Sequence, residues 1–101
     1  MDRLSQEEKN KFLFSYLVMS HQTSALINLG QVKDPTTQEI KVNLENARLA
    51  IDLLEMLQTK TKNNLSKDES DLLQSTLQQL HLAFVKESQK SEGSKKDKME
   101  K

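Results

Sequence analysis

Between Asn43 and Glu69 the chain reads N-L-E-N-A-R-L-A-I-D-L-L-E-M-L-Q-T-K-T-K-N-N-L-S-K-D-E. Projected at about 100° per residue, Leu44 to Leu57 place Met56, Leu49, Leu53, Leu57, Ala50, Leu54, Ala47, Ile51 and Leu44 in order over an arc of roughly 240°. Glu45, Arg48, Asp52 and Glu55 fill the remaining sector. A helix lying on one side of a core needs an apolar stripe only a little over ~100° wide, so this helix is expected to be central and covered from more than one side.

Its ends are marked. Asn43 is placed as an N-cap, accepting from the first free backbone N–H groups, and Glu45 favours the positive end of the dipole. Lys60 and Lys62 supply positive charge at the other end, and Asn63 or Asn64 can take the left-handed conformation that stops a helix. Ser66 and Glu69 then form S-x-x-E, a capping box that starts another helix. With only about three residues between them, the helices over 44–62 and 67–86 are expected to pack as an antiparallel hairpin.

The 101 residues allow one domain, able to bury roughly 60 to 65% of its unfolded surface. Two glycines, one proline, three phenylalanines, one tyrosine and no tryptophan leave little material for a sheet, so the expected class is all-α. Lysine plus arginine equals aspartate plus glutamate at 15 each, so no net field draws the chain to a polyanion or an anionic membrane, and nucleic acid is disfavoured. There is no cysteine for disulfide or thiolate chemistry. The opening M-D-R-L-S-Q-E-E-K-N-K lacks the features of a signal peptide, and a cytoplasmic location is the expectation. The apolar stretches are too short to cross a bilayer, which takes ~18 to 20 residues, so no membrane insertion is expected.

A first helix is expected over 5–29, opened by a capping box of Ser5 with Glu8 and closed by Gly30 as the left-handed residue after its end. Phe12, Leu13, Phe14, Tyr16, Leu17, Val18 and Met19 alone would suit a buried strand. The charged lead-in, the Gly30 stop and the continuing apolar positions Ala25, Leu26, Ile27 and Leu29 decide for helix. Ser20 and Ser24, one turn apart, read as small residues permitting close helix approach. Residues 30–42 are a connection, with a type I turn at Asp34-Pro35-Thr36-Thr37 and Ile40 and Val42 as a short extended piece over the hairpin.

In the last helix, Leu72, Leu73, Thr76, Leu77, Leu80, Ala83 and Phe84 form a narrower stripe of roughly 140°. Leu82 and Val85 fall outside it, either covered by the first helix or belonging to an interface. The segment 89–101 has Met99 as its only sizeable apolar residue, and a disordered charged tail is expected after a domain of residues 1–88.

From Phe12 to Val85 the chain resembles a family of small bacterial proteins, domain of unknown function eighteen forty-four. The resemblance rests on Leu29-Gly30, Asp34-Pro35, then Leu44, Ala47, Ile51, Asp52, Leu54, Leu57, Gln58 and the run Lys60-Thr61-Lys62 with Asn64-Leu65, followed by Glu69, Leu72 and Leu73. Asn63 stands where the family has glycine, which suits a position of positive φ. His81 and Ala83 stand where arginines are usual, so a role of those arginines in holding an anion does not transfer. The resemblance implies a helical bacterial protein and carries no activity.

Nothing in the sequence assembles a reaction. Two histidines, His21 and His81, with no cysteine and no H-x-x-x-H or E-x-x-H pair, offer neither a metal site nor a cofactor site. Asp52 and Glu55 are one turn apart, but Arg48 is placed to pair with Glu45 or Asp52 in a solvated ion-pair strip, and no catalytic residue is assigned. The turn from Lys60 to Lys67 is a candidate anion site, with Lys60, Lys62, Asn64 and Lys67 around the start of a helix. Two helices are apolar over more than three helices can cover for one another. The expected function is therefore that of a non-enzymatic interaction protein, a homodimer or the binder of an unidentified protein, with Phe12, Tyr16, Met19, Leu49, Leu53 and Met56 at the interface. The alternative is an accessory protein holding an anionic ligand or nucleic acid at the lysine turn.

Overall fold

The computed structural model describes residues 4–99, with side chains described through Lys90. The protein is all-α: three helices, α1 (Gln6–Asn28), α2 (Leu44–Lys60) and α3 (Lys67–Met99). Contacts between α2 and α3 run in opposite directions along the two helices. Arg48 lies over the ring of Phe84, 5.7 Å from its centroid, and Glu55 meets His81 at 2.6 Å. These two helices are the expected antiparallel hairpin. The long first helix runs antiparallel to α2, from a bridge of Leu29 with Val42 at one end to Leu17 beside Met56 and Leu57 at the other.

Local chemistry sets the helix ends. Ser5 Oγ accepts from the Glu8 N–H at 3.1 Å while the Ser5 N–H donates to Glu8 Oε1 at 3.2 Å, a complete capping box. Ser66 and Glu69 make the same pair of bonds at 3.2 and 2.9 Å to open α3. Asn43 Oδ1 accepts from the Asn46 N–H at 3.0 Å to open α2. Gly30, at φ 74°, closes α1: its N–H donates to the Ile27 carbonyl at 3.1 Å and the Gln31 N–H to the Leu26 carbonyl at 2.9 Å, the two bonds of a Schellman motif. Past α2, which ends at Lys60 with Thr61 as its C-cap, Asn63 takes the left-handed conformation at φ 68°. Lys62 therefore stands beyond the helix.

The core is a seam shared by all three helices. Val18 and Ala25 come from α1, Ala50, Ile51 and Leu54 from α2, and Leu73, Leu77 and Leu80 from α3, with Phe14, Leu26, Leu57, Leu65, Leu72 and Phe84 packed against it. Close approach of α1 to α2 is carried by the buried alanines 25, 47 and 50. Ser20 and Ser24, expected in that role, are exposed, because Val18 and Ala25 turn inward and put the two serines on the outer side.

Three further expectations change. The 34–38 turn is one residue wider than a type I turn: the Gln38 N–H donates to the Asp34 carbonyl at 2.7 Å, with Gln38 itself at φ 61°. Ile40 and Val42 do not cover the hairpin. Both are exposed and lie over Gly30, where an added Cβ would stand 2.9 Å from Val42 Cγ2. Lastly, α3 runs to Met99, beyond the end expected near Lys86 and through most of the segment 89–101 expected to be disordered; residues 100 and 101 lie outside the described residues. That segment, Q-K-S-E-G-S-K-K-D-K-M-E-K, has neither proline nor β-branched residues, and its lysines, glutamates, glutamine and methionine are good helix formers that outnumber Gly93, Asp97 and the two serines, although it has little apolar surface to bury.

Candidate functional site

Among the described residues, more large apolar side chains are exposed than are buried, and most of the exposed ones belong to α1 and α2. On α1, Phe12, Leu13, Tyr16, Leu17 and Met19 are exposed; on α2, Leu49, Leu53 and Met56. The periodicity explains this. Leu54 and Ala50 face α1 and α3, so Leu53 and Leu49, about 100° round the helix, must face out. Leu54 is 1% exposed and Leu53 38%.

The exposed residues of the two helices form one surface. A hollow of about 180 Å³ between them is lined by Leu17 and His21 of α1 and by Leu53, Leu54, Met56 and Leu57 of α2. A second hollow of about 330 Å³ continues along the same groove between Ser20, Ser24 and Asn28 on one side and Asn46, Leu49 and Leu53 on the other, with His21 and Leu53 common to both. On the exposed side of α1, outside the lining of the groove, Phe12 and Tyr16 stack, their centroids 6.4 Å apart and their planes 22° from parallel. Met19 projects roughly 20° beyond Phe12, away from α2, and stands at the margin.

All six residues expected at an interface are therefore exposed, and three of them, Leu49, Leu53 and Met56, line the groove. Leu13, Leu17 and His21 share that face and were not singled out from the sequence. A signal for them exists in the charge pattern. From Phe12 to Val32 there is no Asp, Glu, Lys or Arg, in a chain that is 30% charged. A solvated helix carries charge on its outer face, and the outer face of α1 carries none there. Leu82 and Val85 of α3 are also exposed, so α1 does not cover them.

The candidate anion residues are divided. Lys62 and Lys67 line a hollow of about 430 Å³ together with Asp71. Asn64 lines a different one, with Glu7 and Lys11 at the start of α1, and Lys60 lines neither. The leading donors of α3 are engaged within the turn, Glu69 N–H by Ser66 Oγ and Ser70 N–H by the Ser66 carbonyl.

Neither histidine meets Asp52. Arg48 Nε pairs with Asp52 Oδ1 at 3.2 Å across one turn, both side chains half exposed, an arrangement that contributes little stability. His81 Nε2 bonds Glu55 Oε1 across the α2–α3 seam. Among the described residues, no three or more of His, Cys, Asp and Glu stand together as a metal-binding group, and no helix is long and apolar enough to cross a membrane. Outside the lining of both hollows, Asp34 is held below the ordinary aspartate range by the Thr36 hydroxyl, with the Thr36 N–H adding to it.

Comparison with curated proteins and with solved structures gives no match. The family described as Domain of unknown function (DUF1844) matches residues 11–86, which takes in most of α1, all of α2, both connections and the packed part of α3. The chain belongs to that family.

Proposed function

We propose that this chain is a non-enzymatic interaction protein of the cytoplasm that self-associates as a symmetric dimer through the outer face of α1 and α2. One observation carries the reading: an exposed apolar face, free of charge on its α1 side from Phe12 onward, spans two adjacent helices of a small domain. Contiguous apolar surface of this kind on a soluble domain marks an interaction site. The stacked Phe12 and Tyr16 are the type of residue that dominates interface energies.

A two-fold interface sets a patch against itself, so a patch of one charge sign repels its own copy. The α1 part of this face carries no charge to oppose its own copy, and the surface with matching chemistry is the face itself. A second copy is therefore the occupant to which it is best suited.

Dilution followed by amide NMR tests the reading residue by residue. Concentration-dependent shifts confined to Phe12–Ser24 and Leu49–Leu57 support it. Shifts absent there, or centred on Leu82 and Val85, contradict it. The alternative, an accessory protein holding an anionic ligand or nucleic acid at the lysine turn, has less support, because Lys60, Lys62, Asn64 and Lys67 do not line one hollow and Asp71 stands beside two of them. Under that alternative, phosphate added at low salt would move the amides of Thr61 to Lys67 and the effect would fade steeply with ionic strength.

A further inference from the structure

We infer that His21 makes this self-association sensitive to pH, the dimer forming with neutral imidazoles and separating on acidification; the inference rests on the outer face of α1 and α2 being the dimer interface. His21 is half-buried and lies between the two hollows of the groove, lining both. Its Nδ1 is 2.9 Å from the Leu17 carbonyl one turn back, so Nδ1 carries the proton and donates, and in the neutral ring Nε2 is left as an acceptor. Protonation adds a second N–H and a full positive charge within the groove.

The lining offers that charge no carboxylate: the larger hollow brings only the neutral polar groups of Ser20, Ser24, Asn28 and Asn46. In the smaller hollow His21 faces Leu53, Leu54, Met56 and Leu57 of α2 and Leu17 of its own helix. No Asp, Glu, Lys or Arg lines either hollow, and α3 contributes no residue to them. The charged residues of α2 line neither hollow: Arg48 pairs with Asp52 and reaches over Phe84, Glu55 bonds His81, and Glu45 and Lys60 are likewise outside both linings. In a symmetric dimer the second copy brings the same two hollows and the same uncharged stretch of α1.

In the free chain an imidazolium at this position keeps water on its open side. When a second copy covers the face, that water is lost and no carboxylate replaces it, which disfavours the charged form. The sign follows: the dimer binds fewer protons than two separate chains, so association is strong above the ordinary histidine range and is lost as pH falls through it. For two imidazoles that must both be neutral in the dimer, the dissociation constant rises by up to about 100-fold over the two pH units that span the ordinary histidine range.

The test is the dimer dissociation constant of the full chain, by sedimentation equilibrium at pH 7.5, 6.5 and 5.5, for the wild type, His21→Gln and His81→Gln. The expected result is a rise of tenfold or more in the wild type, the same rise in His81→Gln, and a change within about twofold in His21→Gln, whose side chain stays uncharged. A wild-type constant independent of pH overturns this inference and leaves the dimer standing, as does an equal slope in His21→Gln. A chain monomeric at every pH overturns both.

Discussion

Leu53 and Leu54 are neighbours in sequence and opposites in the structure. Leu54, 1% exposed, closes the seam where α1, α2 and α3 meet; Leu53, 38% exposed, looks out over the groove beside α1. The wide apolar arc of α2 thus does two jobs. Part of it holds three helices together, and the rest remains uncovered after they have packed. Composition and hydropathy treat the two leucines alike, and only the direction of the core tells them apart.

The largest effect that sharpens this comparison is Leu54→Ala, which leaves a cavity in the seam and is expected to cost about 2 to 5 kcal/mol in urea denaturation. Leu53→Ala, measured at a concentration where the chain is monomeric, is expected to cost under about 1 kcal/mol, because the side chain is already partly hydrated. Equal losses at the two positions would break the comparison.

Tyr16→Glu places a charge on the outer face without touching the seam. Its dissociation constant is expected to rise at least about 30-fold, equivalent to about 2 kcal/mol, with the far-ultraviolet circular dichroism unchanged. Unchanged association would show that the outer face is not the interface.

The helix stops allow two smaller tests, since they hold the helices in the register that separates the faces. Gly30→Ala puts a Cβ 2.9 Å from Val42 Cγ2 at a residue with φ 74°, and a loss of about 1 to 2 kcal/mol is expected. Asn63→Gly relieves the strain of a side chain at φ 68° and is expected to raise stability by up to about 1 kcal/mol, read as a shift of the urea midpoint. The smallest effect belongs to the 34–38 turn. Asp34 titrates below the ordinary range because its carboxylate accepts from Thr36, so the turn keeps these bonds above that range and loses them as pH falls through the lowered value. The Thr36 amide shift should report that midpoint while the amides of the core stay still.

Much of this was legible because the decisive signals are local. Both capping boxes, the Asn43 cap, the Gly30 stop and the left-handed Asn63 each rest on a few adjacent residues, and each takes the form that the local pattern implies. What escaped depends on distant partners. Ser20 and Ser24 resembled close-approach residues, but Ala25 faces α2 in their place, a choice set by the rotation of α1 about its own axis. Gln38 was not marked for positive φ, because nothing in its type requires it; the bond from its N–H to the Asp34 carbonyl places it there. The continuation of α3 to Met99 follows local propensity where apolar content pointed to disorder. Of the groove, Leu49, Leu53 and Met56 could be named from the sequence, whereas Leu17 and the position of His21 between its two hollows needed α1 and α2 side by side.

The most direct test of the central claim is the solution mass of the full chain by light scattering after size exclusion, over a range of concentrations at neutral pH. The account predicts a mass of twice 11.6 kDa that falls toward 11.6 kDa on dilution and, in Tyr16→Glu, stays at the lower value at concentrations where the wild type is paired. A wild-type mass of 11.6 kDa at every concentration would contradict it.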